Sequence, residues 1–210
     1  MKRLVLLAVA AAVIPACGGT GGDGLPDFSA PAPIVLQSDT WSTGPSPQWG
    51  ILAPTAVYDP NVGNPGGSMF MSAYGGAPAE VISAVRTSSG TSVTRFTTSA
   101  DLTIAVDVKQ AAGTVSSVDI MDGGTFAVVA MAYFNNTGAV FTINGTSKTV
   151  LFTADGAWHR YAYMVRMGVG FWTRDGVTQF AGTNPSSTVC VHLSDGYCGT
   201  WFDNVLITVP

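Results

Sequence analysis

From residue 34 to the C-terminus the chain alternates apolar and polar residues, and no window sustains the 3.6-residue apolar period of a helix. Residues 102–108 show the pattern best. Leu102, Ile104, Val106 and Val108 fall on one side of an extended segment, and Thr103, Ala105 and Asp107 on the other. Further strands are expected at 68–72, 93–96, 126–134, 141–143, 148–153, 158–167, 169–174, 177–180, 188–193 and 201–209. Turn signals separate them. Asn144-Gly145 and Asp175-Gly176 spell two-residue hairpin loops, in which both positions take positive φ. Asn135-Asn136-Thr137-Gly138 and Asp155-Gly156 break strands as well. About a dozen strands, interrupted roughly every 8–15 residues, predict an all-β antiparallel sandwich or barrel with no helix of any length.

The first 33 residues follow another pattern. Lys2 and Arg3 precede an apolar run over residues 4–16. A bilayer-spanning helix takes about 20 residues, so this run is too short to span. A basic start, a short apolar centre and a small residue at its end predict a secretory signal peptide. Gly19-Thr20-Gly21-Gly22-Asp23-Gly24 spells a dinucleotide-binding G-x-G-x-x-G. That motif needs a strand before it and a helix after it, and here Pro31 and Pro33 hold the following residues extended. With five glycines and three prolines in residues 18–33, the stretch is expected to be a flexible tether.

Ile14-Pro15-Ala16-Cys17 resembles the bacterial lipobox. The resemblance implies that residues 1–16 are removed and that Cys17 is acylated and becomes the mature N-terminus. Acyl chains contribute about 0.8 kcal/mol per buried methylene, so several of them hold a protein on a membrane. Gly18, where an inner-membrane sorting signal would place aspartate, implies the outer membrane or cell surface. The expected organisation is thus signal peptide (1–16), lipidated tether (17–33) and one β domain (34–210).

Charge narrows the partners. Only 10% of residues are charged and the net charge is −4, with nine Lys and Arg spread thinly. No basic stripe exists for nucleic acid. With Cys17 assigned to lipid, the remaining pair, Cys190 and Cys198, is expected to form a disulfide in an oxidising compartment, closing a short loop with His192 inside it and Tyr197 at its tip.

Trp158-His159-Arg160-Tyr161, Arg174-Asp175-Gly176 and the closing Trp201-Phe202-Asp203-Asn204-Val205 together resemble concanavalin-like (laminin-G-type) jelly rolls. Asp39-Thr40-Trp41 and the Gly/Asn/Pro stretch 63–69 resemble the first strands of sugar-binding modules of that sandwich. The resemblance implies a jelly-roll β-sandwich over 34–210. It also implies a structural Ca²⁺ where first and last strands meet, with Asp39 and Asp203 as oxygen ligands.

The most testable enzyme reading of such a fold is glycoside hydrolysis, which needs two carboxyl groups roughly 5–10 Å apart. Glu80 is the only glutamate. Asp119 and Asp122 are the nearest carboxylate pair in sequence, but a spacing of three sends them to opposite strand faces, or into a turn beside Gly123-Gly124. No G-x-S-x-G elbow occurs. Of the two histidines, His159 shares a face with Tyr161 and Tyr163 and reads as packed or surface-exposed rather than as a base.

Aromatic faces stack on pyranose rings, which makes Trp41, Trp49, Tyr74, Trp172 and Tyr197 the candidate ligand contacts. Trp158 and Trp201 read as core. On these grounds the expected function is non-catalytic carbohydrate binding or adhesion at the cell surface. The alternatives are an unconventional glycan hydrolase or lyase on the same fold, and a structural envelope protein without a small ligand.

Overall fold

A computed structural model describes residues 32–42, 48–51, 56–64, 66–71, 79–87, 90–99, 101–111, 113, 115–197 and 199–210. The expected lipobox at Cys17, the signal peptide and the tether lie outside these residues, as does Tyr74. All regular structure among the described residues is β.

Two antiparallel sheets make a jelly-roll sandwich. One has eight strands. Its path runs β15 (Val177–Thr183), β14 (Val169–Arg174), β13 (Trp158–Arg166), β8 (Leu102–Gln110), β17 (Thr200–Val209), β4 (Ser68–Met71) and β3 (Ala56–Asp59), with β1 (Ile34–Asp39) also on β17. The other has nine. It runs β12 (Thr146–Leu151), β11 (Gly138–Ile143), β10 (Val128–Asn135), β9 (Val115–Asp122), β16 (Thr188–Tyr197), β5 (Ala79–Thr87) and β2 (Trp49–Ile51). Two short strands, β6 (Gly90–Val93) and β7 (Phe96–Thr97), flank it on β5 and β16.

Period-2 alternation sets what enters the core. Leu102, Ile104, Val106 and Val108 of β8 face Ala130, Ala132, Phe134, Val118, Ile120, Val191 and Leu193 across the sandwich in one buried cluster. Rings fill its centre: Phe134 and Tyr161 lie 4.5 Å apart, Tyr163 and Trp172 5.2 Å. Both predicted hairpins form. Asn144-Gly145 (φ 49° and 74°) joins β11 to β12, and Asp175-Gly176 (φ 50° and 79°) joins β14 to β15. A third, Met167-Gly168 (φ 49° and 77°), joins β13 to β14 with no turn residue at its first position.

Several expectations are corrected. Trp172 is fully buried, its indole N–H donating to the Thr142 carbonyl at 3.2 Å. Trp41 and Trp49 are buried against each other, rings 5.6 Å apart. None of the three can meet a ligand. Trp158 and Trp201, expected in the core, are half-buried, because the inward places beside Trp201 belong to Phe202 and Val205. The disulfide does not form at Cys190, a free, buried thiol near the start of β16. As far as Tyr197 the expected loop is extended strand. Tyr197 ends that strand rather than tipping a loop; its side chain, and Cys198, lie outside the described residues.

Candidate active site

Where an apolar strand places a charged residue on its non-core side, that side has a reason to be polar. In β9, Val118 and Ile120 enter the core while Ser117, Asp119 and Met121 take the outer face. In β16, Val189, Val191 and Leu193 enter the core, and Cys190, His192 and Ser194 take the same outer face. The register sets His192 opposite Asp119 and Ser194 opposite Ser117. On the far side, β10 puts Met131 opposite Asp119 and Tyr133 opposite Ser117. Directly opposed residues bring their Cβ atoms to about 5 Å, close enough for short polar side chains to meet.

They do meet. His192 Nδ1 and Asp119 Oδ2 are 2.9 Å apart, and the residues are only 8% and 7% exposed. A carboxylate only accepts, so Nδ1 carries the hydrogen and donates. In that tautomer the lone pair of the imidazole sits on Nε2. Asp119 Oδ1 is buried without a partner among the described residues, an open acceptor beside the imidazole. One row along, the Ser117 and Ser194 hydroxyls are 3.4 Å apart and Tyr133 is half-buried. Glu80, the lone glutamate, stands in β5 opposite Ser194.

The pair was not readable as a site, since its members are 73 positions apart and register alone joins them. A signal existed in Val118-Asp119-Ile120 and Val191-His192-Leu193, where one ionisable residue interrupts an apolar strand. Asp122, by contrast, organises a turn. It accepts from the backbone of Gly124 (3.0 Å) and Thr125 (2.8 Å), from the Thr125 hydroxyl (2.9 Å) and from Ser186. These bonds, that of Ser186 foremost, hold its carboxyl far below the usual range.

Two other polar groups lie on or beside the eight-stranded sheet. His159 sits at the end of the inward row of β13, Nδ1 2.8 Å from Asp175 and Nε2 3.1 Å from Asp155, with Arg174 at 2.9 Å. This is packing of charges around a histidine, as the alternation suggests. Asp39 and Asp203 are brought near Asp107. Burial pushes the Asp203 carboxyl up, against bonds from Asn64 and Asn204, and the charges of Asp107 and Asp39 push it further. Asp203 accepts from the Asn64 and Asn204 backbones (2.6 and 2.7 Å), and Asp107 from Arg160 (2.9 Å) and from both asparagine amides. Each Asp203 oxygen thus accepts from one backbone N–H. Among the described residues no group of three or more His, Cys, Asp or Glu is placed to hold a metal ion.

No family model matches the chain, and no curated protein does. Solved structures do. An alginate lyase from Corynebacterium sp. is similar with a TM-score of 0.55 at 12% identity, over 78% of this chain and 95% of that one. The Crh5 transglycosylase in complex with NAG is similar at 0.56 and 13%, over 82% and 83%. A GlcNAcα1-4Gal-releasing endo-β-galactosidase from Clostridium perfringens is similar at 0.57 and 7%, over 88% and 65%. At these identities the likeness shows the fold, a jelly-roll sandwich. It also corrects the expectation of a non-catalytic binding protein, because these neighbours are enzymes that process glycans.

Proposed function

We propose that the chain is a polysaccharide lyase that cleaves a uronate-bearing glycan on the outer face of the nine-stranded sheet. His192 moves the proton and Asp119 is its positioning residue. The observation that carries this is the buried Asp119–His192 pair on the outer face of the nine-stranded sheet, outside the core cluster. In the elimination a base takes the proton α to the uronate carboxyl, and the electron pair becomes a carbon–carbon double bond. The bond to the glycosidic oxygen breaks, and that oxygen leaves with the proton that the His192 imidazolium hands on. One imidazole can serve as the base, whereas hydrolysis of the usual kind needs two independent carboxyls and Asp119 is committed to His192. The glycan-processing enzymes of like fold support the same direction.

The test is the purified chain with sodium alginate, followed by ultraviolet absorbance of unsaturated ends. Parent protein should produce them. His192→Gln and Asp119→Asn should lower kcat by about 100-fold or more at unchanged circular dichroism. Asp119→Asn should also displace the acid limb of the pH–rate profile, which a merely structural residue would not do. A second reading, hydrolysis, is favoured by one observation, Glu80 in register with Ser194 beside the pair. It predicts new reducing ends without ultraviolet absorbance, lost in Glu80→Gln. No cleavage of either kind overturns both.

Residues 14–17 support a further part of the proposal: the chain is exported and held in the bacterial envelope by acylated Cys17. Cys17→Ser should move it from the membrane to the soluble fraction.

A further inference from the structure

On the eight-stranded sheet, away from the Asp119–His192 pair, the register lines up Val57, Phe70, Trp201, Lys109 and Trp158 across β3, β4, β17, β8 and β13. Alternation turns all five outward. Their chain neighbours Met69, Met71, Val108 and Phe202 are in the core, and Val57 is 48% exposed. We propose that this row is a second polysaccharide-binding surface, which holds an extended uronate-bearing chain while the opposite face cuts it.

The row is built rather than incidental. Phe70 and Trp201 lie 4.9 Å apart at 36°. The Trp201 indole N–H donates to Asp59 Oδ2 at 2.9 Å, which fixes the ring, and Asp59 Oδ1 accepts from the Asn61 backbone. Phe70 rests on Gly199, where any Cβ would press on its ring. A pyranose has an apolar C–H face and a rim of hydroxyls, so it stacks on fixed aromatic rings flanked by polar groups.

Two strand spacings, about 9.6 Å, separate the strands that carry Trp201 and Trp158. That interval lets alternate sugars of an extended chain stack on the two indoles. Lys109 lies between them, its Nζ 5.9 Å from the Trp201 ring, and its ammonium has no ion-pair or hydrogen-bond partner among the described residues. An uncommitted cation between two aromatic platforms complements a carboxylate on the intervening sugar, which selects a uronan over a neutral glucan. Next along the strands, Arg160 and Asn204 border an outward cleft of about 240 Å³ with room for a branching sugar.

Electrophoresis of the purified chain through gels containing sodium alginate or a soluble neutral β-glucan tests this. Alginate should retard the parent and the neutral glucan should not. Trp201→Ala and Trp158→Ala should weaken retardation by about tenfold or more, and Trp201→Phe should restore most of it. Lys109→Ala should abolish the difference between the two polymers. Asp119→Asn should stay fully retarded, which separates this surface from the cleavage reading on which the choice of polymer rests. Equal retardation by both polymers, undiminished retardation of both tryptophan variants, or loss of retardation in Asp119→Asn overturns the proposal.

Discussion

Single residues show most clearly what this sandwich keeps for packing and what it keeps for another purpose. Trp172 is packing. Truncation to alanine should cost about 3–5 kcal/mol, the range for a large buried aromatic, and should appear as a lowered urea midpoint. The Asp119–His192 pair is different. Removing one partner leaves a buried polar group stranded, and a buried pair broken that way costs about 3–5 kcal/mol. Replacing both by apolar residues of similar size is often neutral or better. Asp119→Leu alone should therefore lower Tm, the double variant Asp119→Leu/His192→Leu should recover it, and neither should cleave glycan. A double variant as unstable as the single one would mean the pair is retained for stability. The residue scale is also where reading the sequence failed most often. Period-2 alternation gives two faces without saying which is inner, and in Phe171-Trp172 and Trp201-Phe202 both faces offer an aromatic. Only the opposing sheet decides, and it chose Trp172 and Phe202.

Strands and hairpins were far more legible. Asn144-Gly145 and Asp175-Gly176 mark hairpins because their side chains tolerate positive φ, and the strands on either side follow from alternation. The Met167-Gly168 hairpin went unseen, since methionine at positive φ carries no such signature. β16 runs past the expected 188–193, where the Cys190–Cys198 pairing suggested a loop; pairing to β9 carries the strand on to Tyr197. Gly170 of β14 illustrates a constraint the pattern cannot express. A Cβ there would land on the Tyr163 hydroxyl, which donates to Asn184 at 3.0 Å. Gly170→Ala should destabilise by about 1–3 kcal/mol, measured by urea denaturation, and Tyr163→Phe in the same background should recover part of it.

Across the whole molecule, ionisable groups are few and so their shifts stand out. Hydrogen bonds hold the carboxyls of Asp59, Asp122 and Asp155 below their ordinary value, led by bonds from Trp201, Ser186 and the Ala157 backbone respectively. Asp175 is also lowered; burial opposes the shift, and its bonds to His159 and the Arg160 backbone prevail. A carboxyl depressed on folding stabilises above its unfolded value, and that stability is lost as pH falls through the folded value. Asp203, raised by burial, runs the other way: its contribution is present at low pH and declines as pH rises. Because the lowered carboxyls of Asp59, Asp122, Asp155 and Asp175 outweigh Asp203, Tm should fall steadily below about pH 4. Asp122→Asn should flatten that dependence, read by thermal scans across acid buffers.

The unbridged Cys190 gives the fold one more property. Burial pushes its thiol above the ordinary value, so in the closed sandwich it is both hidden and protonated. A reductant has no bond to break at this position, and dithiothreitol should leave the melting curve where it was. Alkylation of that sulfur then becomes a clock for how often β16 parts from its neighbours, ticking only when the strand that carries His192 opens.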